Sequence, residues 1–230
     1  MIINENRLEH IKTNRIRKYL REPMSGLTHL LGALMSVIGV VFFLLKNPTL
    51  TTKISYLISF LVFGVSLILL YLASAAYHLI PARDSVIQKL RKLDHSAIFL
   101  FIASSYTPIC IRVLKAHQGS SILIAVWICA LLGIALKLFT KQNSRWLRVG
   151  LYVGLSSIGL IVLPDLWRAF PASGLFWLFG GALLYLIGSL IYAMKWPNPL
   201  PNFFGFHEIW HLFVLGGTFC HFWLINQYVF

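Results

Sequence analysis

Seven stretches of mostly apolar residues run along the chain, separated by short polar or proline-containing segments. They cover residues 26–45, 54–80, 95–114, 120–139, 149–163, 173–194 and 207–229. A membrane-spanning helix needs about 20 predominantly apolar residues, because the hydrocarbon core is about 30 Å thick and each helical residue rises about 1.5 Å. The pattern predicts an all-α integral membrane protein, a bundle of seven transmembrane helices.

The fifth stretch, 149–163, is the weakest of the seven. Its residues would rise only about 22 Å, so the helix would need local thinning of the bilayer or continuation through Pro164. The connection that follows is expected at 164–172. The stretch also contains three glycines, which are expected to let it approach neighbouring helices closely: Gly150, Gly154 and Gly159.

The composition agrees with a membrane protein, since 58% of the residues are hydrophobic and 12% are charged, whereas a soluble domain carries about 25% charged residues. The net charge of +13 would also suit a nucleic-acid-binding protein. The lysines and arginines, however, are spread over the gaps between apolar stretches, where membrane topology explains them, and no nucleic-acid partner is expected. The three cysteines lie inside apolar stretches and are interpreted as small buried apolar residues: Cys110, Cys129 and Cys220.

The distribution of positive charge predicts the orientation. Of the 20 lysines and arginines, 15 fall on the side that holds the N-terminus and the gaps near 81–93, 137–148 and 195–206. Cytoplasmic loops carry the excess of such residues, so the N-terminus is predicted to be cytoplasmic and the C-terminus external. Residues 1–24 form a basic cytoplasmic segment, and residues 25–230 form the membrane domain. The basic segment is either a helix lying on the inner leaflet, with one apolar face, or a disordered tail; that face would hold Leu8, Ile11, Ile16, Tyr19 and Leu20.

Polar residues collect at the cytoplasmic ends of four predicted helices. Ionisable groups within membrane helices are costly, so each suggests a functional site. Because successive helices alternate in direction, these residues should reach one depth in the membrane. They are Ser25 and His29 in the first helix, Ser74 and His78 in the second, Asp94 and His95 opening the third, and His207, Glu208 and His211 in the seventh.

The segment His207-Glu208-Ile209-Trp210-His211 matches the pattern H-E-x-x-H. Histidines four residues apart share one helix face, about 6 Å apart along the axis, and both can bind one Zn²⁺ at about 2.0–2.1 Å. In zinc proteases the glutamate of this pattern is the general base. His78 is a plausible third ligand, and three protein ligands leave the fourth position of a catalytic zinc site open.

The other polar residues leave alternatives open. Asp94 either orients a ligand or a water at the metal or caps the start of the third helix. The Ser74 hydroxyl either bonds that water or the substrate or bonds its own helix backbone. Ser25 and His29 either support the site or pack helices together, and His221 is expected to make a hydrogen bond between helices.

Several of these segments resemble the motifs of the haemolysin III family, the bacterial branch of the progestin and adiponectin receptor superfamily. The resemblance runs from about Glu22 to Trp223. The segments are Glu22-Pro23-Met24-Ser25-Gly26-Leu27-Thr28-His29, Ser74-Ala75-Ala76-Tyr77-His78, Leu93-Asp94-His95, Tyr106-Thr107-Pro108 and His207-Glu208-Ile209-Trp210-His211.

The resemblance implies a seven-helix protein of the bacterial inner membrane with a zinc site on its cytoplasmic side. In the receptor branch three histidines hold the zinc, which implies His78, His207 and His211 here. An aspartate that contacts the bound water corresponds to Asp94, and a serine at the site corresponds to Ser74. Some receptors lack a glutamate where Glu208 stands, which favours Asp94 over Glu208 as the base.

Three functions compete at this point. The superfamily is grouped with alkaline ceramidases, which implies a zinc-dependent intramembrane hydrolase of lipid amides or esters at the cytoplasmic leaflet. The second hypothesis is a non-enzymatic sensor or regulator of membrane lipids with structural zinc, and the third is a pore-forming haemolysin. Membrane lipids are the expected partners. A soluble hormone ligand is not expected, because the receptors carry a long cytoplasmic N-terminal region and this chain has about 24 residues there.

Overall fold

The computed structural model describes residues 19–47, 50, 53–140, 144–201 and 203–230. Long helices make up most of these residues, as the apolar pattern predicts. In chain order they are α1 (Pro23–Lys46), α2 (Ile54–Leu79), α3 (Asp84–Arg112), α4 (Ala116–Phe139), α5 (Arg145–Ser156), a 3₁₀ helix (Ser157–Val162), α6 (Leu163–Ala169), α7 (Ala172–Met194), α8 (Phe206–Leu224) and a terminal π-helical turn (Ile225–Val229).

Within these described ranges, 6 helical segments are long and apolar enough to cross a membrane. The segment from Arg145 to Ala169 is one of them. The remaining long helix, α3, has 29 residues and starts with a charged stretch, 84–94. The prediction of an all-α membrane protein is confirmed, while the count of seven spans and the orientation of the termini stay predictions.

The third predicted helix begins earlier than the apolar pattern indicates. We expected a gap at 81–93 with Asp94 opening the helix, but α3 starts at Asp84, directly after the extended residue Arg83. Hydropathy excludes 84–94 because these residues are polar, although they tolerate helical conformation well. Asp94 therefore lies inside α3, and the interpretation of Asp94 as a helix cap was wrong.

The fifth predicted helix continues through Pro164, one of the two ways in which it could span the bilayer. From Arg145 to Ala169 the chain passes from α5 through the 3₁₀ helix into α6, 25 residues in all. Pro164 falls in the first turn of α6, where a missing N–H costs nothing. The predicted connection at 164–172 was wrong in extent, because only Phe170 and Pro171 separate α6 from α7.

A tyrosine on α3 stabilises the change of helix type in this segment. The Tyr106 hydroxyl donates to the Ser156 carbonyl at 2.5 Å and accepts from the Gly159 N–H at 2.8 Å. Backbone groups at membrane depth must find partners within the protein, and Tyr106 supplies two of them. Gly159 thus makes the close approach that its sequence predicts. Gly150 and Gly154 do not, since a Cβ built on either meets no atom within 4 Å.

Tyr106→Phe should lower the thermal unfolding midpoint of the detergent-solubilised protein. The substitution removes the hydroxyl that serves as one donor and one acceptor, so two backbone groups lose this partner. The free energy of unfolding should fall by about 1–3 kcal/mol. Tyr19→Phe is the matched control, because Tyr19 is 70% exposed. Equal midpoints for Tyr106→Phe and Tyr19→Phe would contradict this role for Tyr106.

The helices pack mainly as consecutive pairs, and α1 closes the bundle against α8. This arrangement places the end of α2, the first half of α3 and the start of α8 near one another. His221 of α8 donates from Nε2 to the Leu178 carbonyl of α7 at 3.3 Å, so its predicted interhelical bond is confirmed. Among the cysteines, Cys110 and Cys220 are buried as expected, but Cys129 is exposed.

Three prolines lie in the connection between α7 and α8, near the site end of the bundle. None of the described residues between Lys195 and Gly205 belongs to a long helix, as the three prolines of this segment predict. At the opposite end of the bundle, three residues separate the end of α3 from the start of α4 at Ala116. The sequence also predicts that the N-terminal segment is either an amphipathic interfacial helix or a disordered tail. Of the five residues named for its apolar face, all but Tyr19 and Leu20 lie outside the described part of the chain.

Candidate metal centre

Three histidines from two helices meet at one end of the bundle. His78 lies in the last turn of α2, and His207 and His211 lie in the first two turns of α8. One ring nitrogen from each lies within 4.8 Å of the others. His78 and His211 are 1% and 2% exposed. The end of α2 and the start of α8 thus lie together, as expected if successive helices alternate in direction.

The hydrogen bonds of these rings leave suitable nitrogens facing one another. His78 donates from Nδ1 to a Glu22 carboxylate oxygen at 2.5 Å, and His211 donates from Nδ1 to the Ser25 carbonyl at 3.0 Å. His78 Nε2 and His207 Nε2 lie 3.2 Å apart. Ligands of a tetrahedral zinc ion, each about 2.0–2.1 Å from the metal, stand about 3.3 Å from one another. The His78–His207 pair is therefore close to the spacing of zinc ligands, and the three histidines together could hold a metal ion.

Glu22 is a functional candidate that the sequence interpretation missed. It lies directly before α1, and its N–H donates to the His78 carbonyl at 2.8 Å. Burial raises the pKa of Glu22, but the hydrogen bond from His78 and the positive charge of Arg21 favour the carboxylate more strongly, so the pKa lies below its usual value. Its carboxylate is thus held ionised beside His78. A carboxylate just before the first apolar stretch, at the predicted site end, was the available signal.

Glu208 faces away from the histidine nitrogens. One of its oxygens accepts from the Ser25 hydroxyl at 2.6 Å, and the other accepts from the Gly205 N–H at 2.8 Å. The same Ser25 supplies the carbonyl that receives the His211 bond. Glu208 and Ser25 therefore join the start of α8 to the start of α1 and hold His211 in place. A carboxylate engaged in this way is poorly placed to be the general base of a zinc protease.

His29 lies one turn further along α1 and packs against the cluster. Its ring stacks on His211 with centroids 3.7 Å apart and meets Tyr71 edge-on at 5.1 Å. Neither of its nitrogens makes a hydrogen bond within the described residues. The structure brings His29 to the cluster as a stacking partner of His211, and it lies outside the group of three that can hold a metal.

Asp94 and Ser74 meet beside the histidines. Both are buried, and both line the same pocket as His207 and His211. Ser74 stands one turn before His78 on α2, so the two face the same side. A carboxylate and a hydroxyl thus flank the proposed position of the metal.

A deep, mostly apolar cavity of about 430 Å³ begins at this cluster. Its polar end contains Ser74, Asp94, His207 and His211, and it extends along the bundle to Leu224 and Ile225. Exposed residues of α5, of the 3₁₀ segment and of α7 form part of its wall, so the cavity reaches the outer surface of the bundle there: Ser156, Leu160, Phe179 and Ala182. This shape suits a long apolar ligand that enters from lipid.

Comparison with known proteins decides the family. The family model described as "Haemolysin-III related" matches residues 17–222. The chain belongs to the haemolysin III family. The haemolysin III chain is 33% identical to the hemolysin-3 homolog of Bacillus subtilis, over 90% of this chain and 93% of that protein. It is 31% identical to hemolysin-3 of Bacillus cereus, over 95% and 96%.

More distant relatives place this haemolysin III protein in the progestin and adiponectin receptor superfamily. The adiponectin receptor protein of Drosophila melanogaster is 27% identical over 87% of this chain and 49% of the receptor. The resemblance noted in the sequence motifs is thereby confirmed. Together with the apolar helices, the bacterial relatives make the haemolysin III protein an integral multi-pass protein of the bacterial cell membrane.

Proposed function

We propose that this protein is a zinc-dependent intramembrane hydrolase that cleaves an amide or ester bond of a membrane lipid at the cytoplasmic leaflet. The observation that carries the proposal is that two of the three clustered histidines, His207 and His211, line the polar end of a mostly apolar cavity. A polar reactive end joined to an apolar tunnel matches the shape of a lipid whose scissile carbonyl lies at the base of an acyl chain.

The metal ligands in this proposal are His78, His207 and His211. A zinc ion held there would lower the pKa of water to about 7 and polarise the substrate carbonyl. Glu22 and Ser25 fix the orientation of two of the rings through their Nδ1 atoms, as acceptors of the second ring nitrogen do in metal sites.

Asp94 is the proposed general base and acid. It takes a proton from the attacking water as the water oxygen bonds to the carbonyl carbon. It then returns that proton to the nitrogen or oxygen that leaves as the carbonyl–heteroatom bond breaks, giving a fatty acid and an amine or alcohol. In this proposal the Ser74 hydroxyl, which lines the same cavity, orients the Asp94 carboxyl. His29, Ser25 and Glu208 support the ligands by stacking and hydrogen bonding.

A membrane-lipid sensor with structural zinc is the second candidate. Two relatives are named as receptors, the Drosophila adiponectin receptor protein and the ADIPOR-like receptor of Saccharomyces cerevisiae. A sensor would bind the lipid in the same cavity without turnover. A water-filled pore is not favoured, because the cavity lining is mostly apolar.

Hydrolysis is tested with the purified full chain in lipid nanodiscs. A panel of N-acyl lipids and glycerol esters is added, and released fatty acid is measured with and without the zinc chelator 1,10-phenanthroline. The hydrolase proposal expects fatty acid release from at least one lipid class, lost on chelation and restored by zinc. Lipid binding without release, in metal-loaded protein, would favour the sensor.

The shared site also requires a particular topology, which cysteine labelling tests. If the segment from Arg145 to Ala169 did not cross, α8 would reverse, and His207 would emerge about 30 Å from His78. In a background without the three native cysteines, Ala169→Cys should react with an impermeant reagent from outside in intact cells, and Ser144→Cys only after lysis. A reporter after Phe230 should be external. Protection of Ala169→Cys in intact cells would contradict this topology.

A further inference from the structure

The chain just before α1 is fixed to the end of α2 by several contacts. The N–H groups of Arg21 and Glu22 donate to the carbonyls of Leu79 and His78 at 3.3 and 2.8 Å. The Arg21 guanidinium stacks over the Tyr77 ring, 4.3 Å from its centroid, and pairs with Glu22 Oε1 at 3.3 Å. The Glu22 carboxylate is therefore held in one position, with its second oxygen against His78.

The contact between Glu22 and His78 determines which ring nitrogen carries the proton. When the imidazole is neutral, as a metal ligand must be, a carboxylate oxygen at 2.5 Å from Nδ1 accepts a hydrogen bond only from the tautomer protonated at Nδ1. That tautomer leaves the Nε2 lone pair free, and His78 Nε2 is the atom that faces His207. Carboxylate partners of this kind also raise the basicity of a ligating imidazole.

We infer that Glu22 is a positioning residue of the metal centre, which holds His78 in the tautomer and orientation that bind the metal. The inference rests on the metal site of the proposed function and extends it by one residue. Glu22 acts through His78: its oxygen contacts Nδ1, on the side of the ring opposite the converging nitrogens. It also lies outside the group of described residues whose atoms can share one ion.

Glu22 differs from Glu208, the other glutamate near the cluster, in the group that it bonds. The Nδ1 atom of His211 donates to an uncharged group, the Ser25 carbonyl. Glu208 bonds a hydroxyl and a backbone N–H instead of an imidazole. Of the two glutamates, Glu22 is the one that bonds a ligand ring and can change its electron density.

The test compares zinc binding by the full chain and its Glu22→Gln variant in detergent. Glutamine keeps the shape of the side chain but removes its charge. We expect the zinc dissociation constant, measured by competition with a chromophoric chelator, to rise by about 10–100-fold, as for outer partners of other metal ligands. Cobalt loaded in place of zinc should keep the same type of visible absorption, because the three ligands remain. Asp165→Asn is the control, since this carboxylate bonds Gln118 elsewhere and should leave zinc affinity unchanged.

Three results would overturn the inference. Glu22→Gln could bind zinc as tightly as the wild type. Its cobalt spectrum could show a lost ligand, which would make Glu22 a ligand itself. If Glu22→Gln fails to fold, ¹⁵N-histidine NMR of the metal-free wild type reads the tautomer directly, and an Nε2-protonated His78 would overturn the inference. A wild type that binds no zinc would instead reject the proposed metal site, so the two failures are distinguishable.

Discussion

Asp94→Asn is expected to reduce lipid hydrolysis by about 10²–10⁴-fold while leaving bound zinc in place. General acid–base groups contribute about that much to rate, and asparagine can neither accept nor return the proton. Because Asp94 lies beside the histidines without belonging to the group that can hold the metal, zinc should remain near one ion per chain. The measurement pairs fatty acid release in nanodiscs with elemental analysis of the same sample.

Asp165→Asn is the matched control for this change, because it makes the same substitution at a carboxylate outside the cavity. It should hydrolyse at the wild-type rate. Zinc loss in Asp94→Asn would mean that Asp94 holds the metal, and full activity with full zinc would remove Asp94 from the chemistry.

His78→Ala is expected to lose most of the bound zinc. It leaves only two ligands, His207 and His211, on one helix. The zinc affinity should therefore fall by more than the about 10–100-fold expected when an outer partner of a metal ligand is changed. His221→Ala is the control, because this partly buried histidine of α8 bonds the Leu178 carbonyl rather than the cluster. It should keep about one zinc per chain by elemental analysis.

Full zinc occupancy in folded His78→Ala protein would show that the ligand set is wrong. Zinc loss in both His78→Ala and His221→Ala would point to a general effect on folding. Thermal unfolding of each metal-free variant separates these cases, since a ligand change alone should leave the metal-free fold nearly as stable as the wild type.

The apolar pattern predicted the helices that form the site better than it predicted their ends. The alternation of helices was enough to bring His78 and His207 to the same end of the bundle, since short connections force neighbouring helices to run antiparallel. The start of α3 was missed because hydropathy detects lipid-facing residues, and 84–94 is a polar stretch of the same helix. The 3₁₀ segment depends on Tyr106, whose partners lie about 50 residues away and leave no local signal.

The candidate site shows the same limit. The spacing of His207 and His211 is a local pattern that the sequence displays directly. The partners that orient the rings come from distant positions: Glu22 stands 56 residues from His78, and Ser25 stands 186 from His211. Such contacts depend on how α1 packs between α2 and α8, which no periodicity along the chain encodes.

The most direct test of the hydrolase account is a lipidomic comparison of membranes from bacterial cells that produce either the wild type or His211→Ala at matched abundance in the membrane. His211 is 2% exposed and belongs to the three-histidine group. The account predicts that one class of amide- or ester-linked lipid accumulates with His211→Ala and that the corresponding free fatty acid falls. Identical lipid profiles, in cells whose wild-type protein carries zinc, would contradict it.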